Sequence, residues 1–317
     1  MKVLVTGANG FIGRSLIEKL LMAEGFQVLA MVRRETSLPD RIQQCIADLL
    51  DENSWIPLLT DVDAIVHLAA RAHVLNEKET DPLAAYRRIN VQATCRLARR
   101  AAEAGVRRFI FVSTVKVNGE NTNGRAPFTN HDAAKPVGPY ALSKYEAELA
   151  LQDIAHRSGM ELVIIRPPLV YGPGVKGNFA SMLDWLARGF PLPLGAVDNR
   201  RSLLAVDNFC EFICLCIEHP KVAGHTLLIS DGDDLSTTGL LKALKDGMHV
   251  NTCLLPVPAR IIKILATLSG HGARSDRLLG NLQVDPSDTF RLTGWQPSKP
   301  VRDALRETAI GYQSSSG

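Results

Sequence analysis

Cysteine is scarce and carries no pattern. The six residues, Cys45, Cys95, Cys210, Cys214, Cys216 and Cys253, contain no CxxC pair, and the chain is far too long for a small disulfide scaffold. They read as reduced thiols. Cys210, Cys214 and Cys216 lie in the apolar run 209–217 with no histidine at zinc spacing, so they predict a buried helix face, and no metal is expected. Charge of one sign is also lacking. Lys and Arg total 36 against 33 Asp and Glu, a net +3 that is dispersed along the chain, which argues against a nucleic-acid partner. No apolar run reaches the roughly 20 residues of a membrane span. The most apolar late stretch, 254–268, is broken by Pro256, Pro258, Arg260 and Lys263, and its Ile261, Ile262, Leu265 and Leu268 predict a helix covering a core. The opening MKVLVTGANG runs straight into a strand and a glycine turn instead of a secretory pattern, so a cytoplasmic chain is expected.

What is present is ordinary globular material: 317 residues, 46% hydrophobic and 22% charged, enough for one main domain and an annex. Short β-branched runs alternate with amphipathic segments. Strands are expected at 3–6, 28–32, 64–68, 109–113 and 162–166, and helices at 11–23, 51–59, 82–104 and 140–158. Strands that are apolar throughout imply a parallel sheet covered on both faces, an α/β doubly wound fold. After Arg166 the rhythm breaks in RPPLVYGPGVKGN. We therefore expect a dinucleotide domain over 1–166 and a smaller C-terminal substrate lobe over 167–317, with segments of about 203–230 returning to the first. Ligand is expected between them, at the carboxyl ends of the strands.

Gly7, Gly10 and Gly13 in TGANGFIG lie between the first strand and the first helix. Such a turn lets the backbone approach a pyrophosphate, lets helix pack on strand, and offers unpaired helix N–H groups to the anion. Tyr140 and Lys144 stand one helical turn apart in PYALSKYE, on one face. A nearby ammonium favours the phenolate, so this pair can exchange a proton with a substrate hydroxyl or ketone.

The GxxGxxG spacing, the YxxxK pair and the upstream strand ending in Ser113 and Thr114 resemble the extended short-chain dehydrogenase/reductase family acting on nucleotide sugars, of UDP-glucose 4-epimerase type, with a Rossmann fold. The resemblance covers nearly the whole chain. It implies Tyr140 as acid/base, Lys144 as the group lowering its pKa and binding ribose, and Thr114 or Ser113 as the hydroxyl orienting the substrate oxygen. It implies cofactor contacts from Gly7, Asn9, Gly10, Phe11, Ile12 and Gly13, from Asp48 and Leu49 beside the adenine, from Leu68, Ala69 and Ala70 in the HLAA turn, and from Pro167 and Val170 against the nicotinamide. His67 in that turn reads as a core histidine. In the family an acidic side chain closing the second strand holds the ribose hydroxyls, but here Arg33 and Arg34 stand there. A guanidinium suits a 2′-phosphate, so NADP is expected over NAD. Asn178, Arg201 and Arg277 match positions binding the pyrophosphate and uridine of a UDP-sugar, with Lys116 at the substrate, while Trp295 in GWQPS reads as packing.

Departures within the site narrow the reaction. Val115 and Lys116 replace the Asp-Glu pair of related dehydratases, and Asn118 replaces the tyrosine of known 4-epimerases. VKVNGE resembles enzymes of surface-polysaccharide pathways that reduce 4-keto-6-deoxy sugars. The expectation is 4-keto reduction of a UDP-4-keto-6-deoxy-N-acetylhexosamine. The alternatives are a UDP-hexose or UDP-N-acetylhexosamine 4-epimerase retaining NAD, and a non-catalytic dinucleotide sensor, against which the intact Thr, Tyr and Lys set argues. Helices 82–104 and 139–158 are candidates for a homodimer bundle.

Overall fold

The computed structural model describes residues 1–72, 79–269 and 272–316, with the side chains of residues 273, 274, 277, 315 and 316 outside the description. Nine strands are described in chain order: β1 (Lys2–Thr6), β2 (Gln27–Val32), β3 (Gln43–Ile46), β4 (Ala64–His67), β5 (Arg108–Val112), β6 (Glu161–Arg166), β7 (Leu169–Tyr171), β8 (Leu203–Ala205) and β9 (Thr226–Leu228). Seven form one sheet in the order β3-β2-β1-β4-β5-β6-β9, and every pair is parallel. β7 and β8 pair in parallel as a separate small sheet. The order reverses between β1 and β4, so their carboxyl ends open the crevice where an open α/β sheet binds ligand.

Alternate residues of each strand feed two cores, as a sheet covered on both faces requires. Val3, Val5, Val28 and Ala30 pack with the Phe11–Met22 and Val206–Glu218 helices, whereas Leu4, Leu29, Ile65 and Phe109 pack with the Thr94–Glu103 and Gly138–Ser158 helices. Cys210 and Cys216 are buried in the first of these cores, and Cys214 packs at its edge. Trp295 closes the same core against Phe212 and Phe290, with ring centroids 5.1 and 5.7 Å away, so it is packing. A third core joins Tyr171, Phe179 and Leu183 to Leu241, Leu244 and Leu305 on the Thr237–Met248 and Val301–Ser316 helices.

Two segments differ from expectation. The 82–104 helix is interrupted by a π-helical stretch at Arg88–Ala93, whose wider turn leads Asn90 into the interior. The 254–268 segment forms a helix, Ala259–Leu268, but it does not cover a core. None of its residues is buried, and Ile261, Ile264, Leu265 and Leu268 are 48%, 60%, 60% and 81% exposed. The third core is already closed by the 178–187, 237–248 and 301–316 helices, so only Ile262 of this helix packs against it. Among the described residues no helix is long and apolar enough to cross a membrane.

Candidate active site

The glycine turn follows β1 directly. Gly7 has φ +68°, and a Cβ there would lie 2.8 Å from the Ala69 backbone nitrogen, so the turn and the segment after β4 are in backbone contact. At Gly13 a Cβ would meet the Gly7 carbonyl at 2.4 Å. Gly10 begins the Phe11–Met22 helix with no side-chain cap and no acid in the first turn. The helix end is therefore open to an anion, and the site fits the pyrophosphate of a dinucleotide on its own geometry.

Behind this turn His67 is fully buried between two hydroxyls, Nδ1 at 2.8 Å from Thr6 Oγ1 and Nε2 at 2.9 Å from Thr94 Oγ1. Burial, reinforced by Lys144, holds its pKa down to about 3, so the ring is neutral and structural. Thr6 Oγ1 also accepts from Ala69 N at 3.2 Å, fixing the turn that contains Leu68 and Ala70.

Arg33 and Arg34 are exposed just past β2. The same loop is held from the first helix by Arg14, which donates to Thr36 Oγ1 at 3.0 Å and to the Ser37 carbonyl at 3.2 Å; the sequence reading did not single out Arg14. Asp48 follows β3 and is exposed, its carboxylate accepting from Leu50 N, with Leu49 buried beneath.

The catalytic candidates converge at the ends of β5 and β6. Ser113 follows β5, 4% exposed, its N–H donating to the Ile165 carbonyl of β6 at 2.7 Å. Its Oγ is buried with no hydrogen-bond partner among the described residues, a state that costs about 1–3 kcal/mol unless a ligand satisfies it. Thr114 Oγ1 accepts from Lys116 N at 3.3 Å and starts the Val115–Val117 turn, against which the Gly138–Ser158 helix packs. Tyr140 is half-buried in the first turn of that helix, edge-on to Tyr86 at 6.1 Å between ring centroids. Burial, then Tyr86, pushes its pKa up to about 12, so it is a phenol at neutral pH. Lys144 is 2% exposed with its ammonium 3.8 Å from the Phe111 ring centroid, and burial, opposed by Glu148, brings its pKa down to about 7. Pro167 accepts from Val115 N at 3.0 Å, and Val170 lies in β7 just beyond.

Asn90 was not visible in the sequence. It accepts from Arg71 N at 2.8 Å and donates to the Arg71 carbonyl and to Ser143 Oγ at 3.1 and 3.0 Å, tying the β4 loop to the Gly138–Ser158 helix. Only its π-helical setting gives it this reach, and no local period announces that.

The substrate candidates are more dispersed. Lys116 Nζ pairs with Glu120 at 3.3 Å. Glu120 also acts on Arg201, whose Nη1 donates to the Gly280 carbonyl at 3.1 Å, directly after the Gly272–Leu279 helix that contains Arg277. The Arg277 side chain lies outside the described residues. Asn178 is exposed at the start of the Asn178–Ala187 helix.

Comparison with known proteins agrees with this geometry. A UDP-glucose 4-epimerase of Vibrio cholerae is 41% identical over 311 residues, 98% of this chain and 95% of that protein. The solved structure of a Thermotoga maritima UDP-glucose 4-epimerase with UDP-glucose superposes with a TM-score of 0.81 at 22% identity over 100% of both chains, a likeness of fold. A dTDP-glucose 4,6-dehydratase from Streptomyces venezuelae, solved with NAD, gives 0.80 at 25% identity over 99% of this chain and 97% of that one. The model of the NAD dependent epimerase/dehydratase family matches residues 3–230, and with the glycine turn, the parallel sheet and the Tyr140–Lys144 helix in place, the chain belongs to that family.

Proposed function

We propose that the chain is an NADP-dependent oxidoreductase working at C4 of a UDP-activated sugar, in the direction that reduces a 4-keto-6-deoxy-N-acetylhexosamine for surface polysaccharide. The observation that supports it is the unpartnered, buried Ser113 hydroxyl beside Thr114, on the turn that the Tyr140 and Lys144 helix packs against. A carbonyl oxygen placed there accepts from these hydroxyls and from the Tyr140 phenol. Tyr140 passes its proton to that oxygen as negative charge develops on it, and the Lys144 ammonium stabilises the phenolate left behind. That Tyr140 rests as a phenol suits the donating direction. When bound, NADPH supplies the hydride. Residues 1–166, with segments of about 203–230, hold the dinucleotide through the glycine turn, Arg33 and Arg34. The remainder of 167–317 holds the UDP-sugar through Asn178, Arg201 and Arg277, with Lys116 at the sugar. A cytoplasmic homodimer through the 82–104 and 139–158 helices belongs to the same reading.

Two exposed guanidinium groups where a ribose-binding acid would stand favour NADP. Arg33→Ala should weaken NADPH binding about ten- to a hundredfold, the worth of one charge-assisted contact, and leave NADH nearly unchanged. Fluorescence titration of both cofactors checks it, and an equal loss for both would remove the phosphate assignment.

The 41% identical relative supports a second reading, 4-epimerisation of a UDP-hexose with retained NAD. There Tyr140 would take the O4 proton and return it to the same oxygen once the ketone had turned its other face to the cofactor.

A further inference from the structure

Behind the catalytic helix lies a charged cluster to which the reaction above assigns no task. Arg166, the last residue of β6, places its guanidinium bidentately on Glu148, Nε to Oε1 at 3.1 Å and Nη2 to Oε2 at 2.5 Å. Its third nitrogen, Nη1, donates to Asn118 Oδ1 at 3.0 Å. The side chains of Arg166 and Glu148 are 9% and 2% exposed, and Asn118 is 1% exposed. Asn118 Nδ2 is directed to the Thr129 carbonyl at 3.5 Å, which turns its oxygen to the guanidinium. The cluster therefore joins three pieces of the active site: the catalytic helix, the turn that begins at Thr114, and the strand that leads into Pro167 and Val170.

A buried ion pair is weak evidence for stability, because desolvating two ions costs about as much as their attraction returns. Its placement is more informative. Glu148 is one turn beyond Lys144 on the same helix, and so on the same face. Among the described residues, Lys144 faces the Phe111 ring and the neutral His67 from the sheet, with Tyr140 as a phenol one turn before it on its own helix. Glu148 is the group that raises the Lys144 pKa against burial.

We propose that Glu148, held in place by Arg166 and Asn118, is a positioning residue whose carboxylate keeps Lys144 in the ammonium form that supports Tyr140. This rests on the Tyr140 and Lys144 roles proposed above. Removing the carboxylate alone acts twice, since Lys144 loses its counter-charge and the Arg166 cation is left buried and uncompensated nearby. Removing Arg166 alone acts in the other sense. A merely structural pair would give the two variants the same defect.

The test reads Lys144 directly, by NMR titration of ¹³Cε-labelled lysine in the full, cofactor-free protein, with the resonance identified by its loss in Lys144→Arg. In Glu148→Gln the midpoint should fall by about one unit or more, a tenfold change in the protonation ratio, while in Arg166→Gln it should not fall. The double variant Glu148→Gln/Arg166→Met removes the counter-charge without leaving a buried cation, so its midpoint should still fall, by less than in Glu148→Gln. If Glu148→Gln does not fold, Arg166→Gln and the double variant carry the comparison. A midpoint that falls in Arg166→Gln, one that does not fall in the double variant, or no shift in a folded Glu148→Gln would overturn the proposal. In turnover, Glu148→Gln should lose at least about fivefold in kcat at neutral pH and regain part of it as pH is lowered and Lys144 reprotonates, a recovery no packing defect shows. Because the titration needs no substrate, it stands even if the assigned reaction fails.

Discussion

Tyr140→Phe should lower turnover by about a hundred- to ten-thousandfold, the usual share of general acid catalysis, while NADPH and UDP-sugar bind almost as before. The ring stays, so its edge contact with Tyr86 stays. What goes is one hydroxyl, half-buried at the start of the catalytic helix, whose proton is held at neutral pH. Calorimetric binding alongside single-turnover kinetics separates the two quantities. A variant that turns over normally would make Tyr140 structural and move the proton donor elsewhere. The pH dependence has a stated sign: Lys144, with its pKa down at about 7, loses its ammonium as pH rises through that point, so kcat should decline on the alkaline side.

The second large effect concerns the turn. In Gly13→Ala the new methyl would lie 2.4 Å from the Gly7 carbonyl and 2.7 Å from that of Ala8, both backbone atoms with no rotamer to yield. The helix must lift from β1, which carries its open N-terminal turn away from where an anion sits. Dinucleotide affinity should fall at least about a hundredfold, some 2.7 kcal/mol or more, and the thermal midpoint should drop by several degrees. Gly10→Ala is the control for the thermal midpoint only, because its Cβ would meet one protein atom, the Gly7 carbonyl, at 3.1 Å, and a small shift relieves it. Thermal melts of both variants and titration of NADPH fluorescence on Gly13→Ala check the two effects. Equal affinity in Gly13→Ala and wild type would mean that this turn does not cradle the dinucleotide.

How much of this was legible in the sequence depends on the range of the interaction. Val3 to Val5, Val28 to Val32 and Leu162 to Ile165 are apolar because both faces of a parallel sheet are covered, and that signal is local. Tyr140 and Lys144 are legible for the same reason, since a helical turn separates them. Arg166, Glu148 and Asn118 are 48 and 18 residues apart in their pairings, and nothing near any of them in the chain reveals a partner. Asn90 depends on a π-helical widening that leaves the hydrophobic period almost intact. The Ala259–Leu268 helix shows the reverse failure. Its amphipathic period is legible in the sequence, but whether its apolar side is covered is decided by neighbours elsewhere in the chain.

The central claim is net reduction at C4, and the distinction from epimerisation lies in the cofactor. A reductase must exchange its dinucleotide at every turnover, whereas an epimerase regenerates it in place and gains by never releasing it. The decisive measurement incubates the purified protein, after its bound nucleotides have been determined by mass spectrometry, with a UDP-4-keto-6-deoxy-N-acetylhexosamine and NADPH. The account predicts protein that arrives largely empty, oxidises NADPH in one-to-one stoichiometry with ketone lost, and leaves UDP-glucose and UDP-N-acetylglucosamine unchanged. Protein that arrives loaded with NAD and interconverts the C4 epimers of a UDP-hexose with no cofactor added would contradict it.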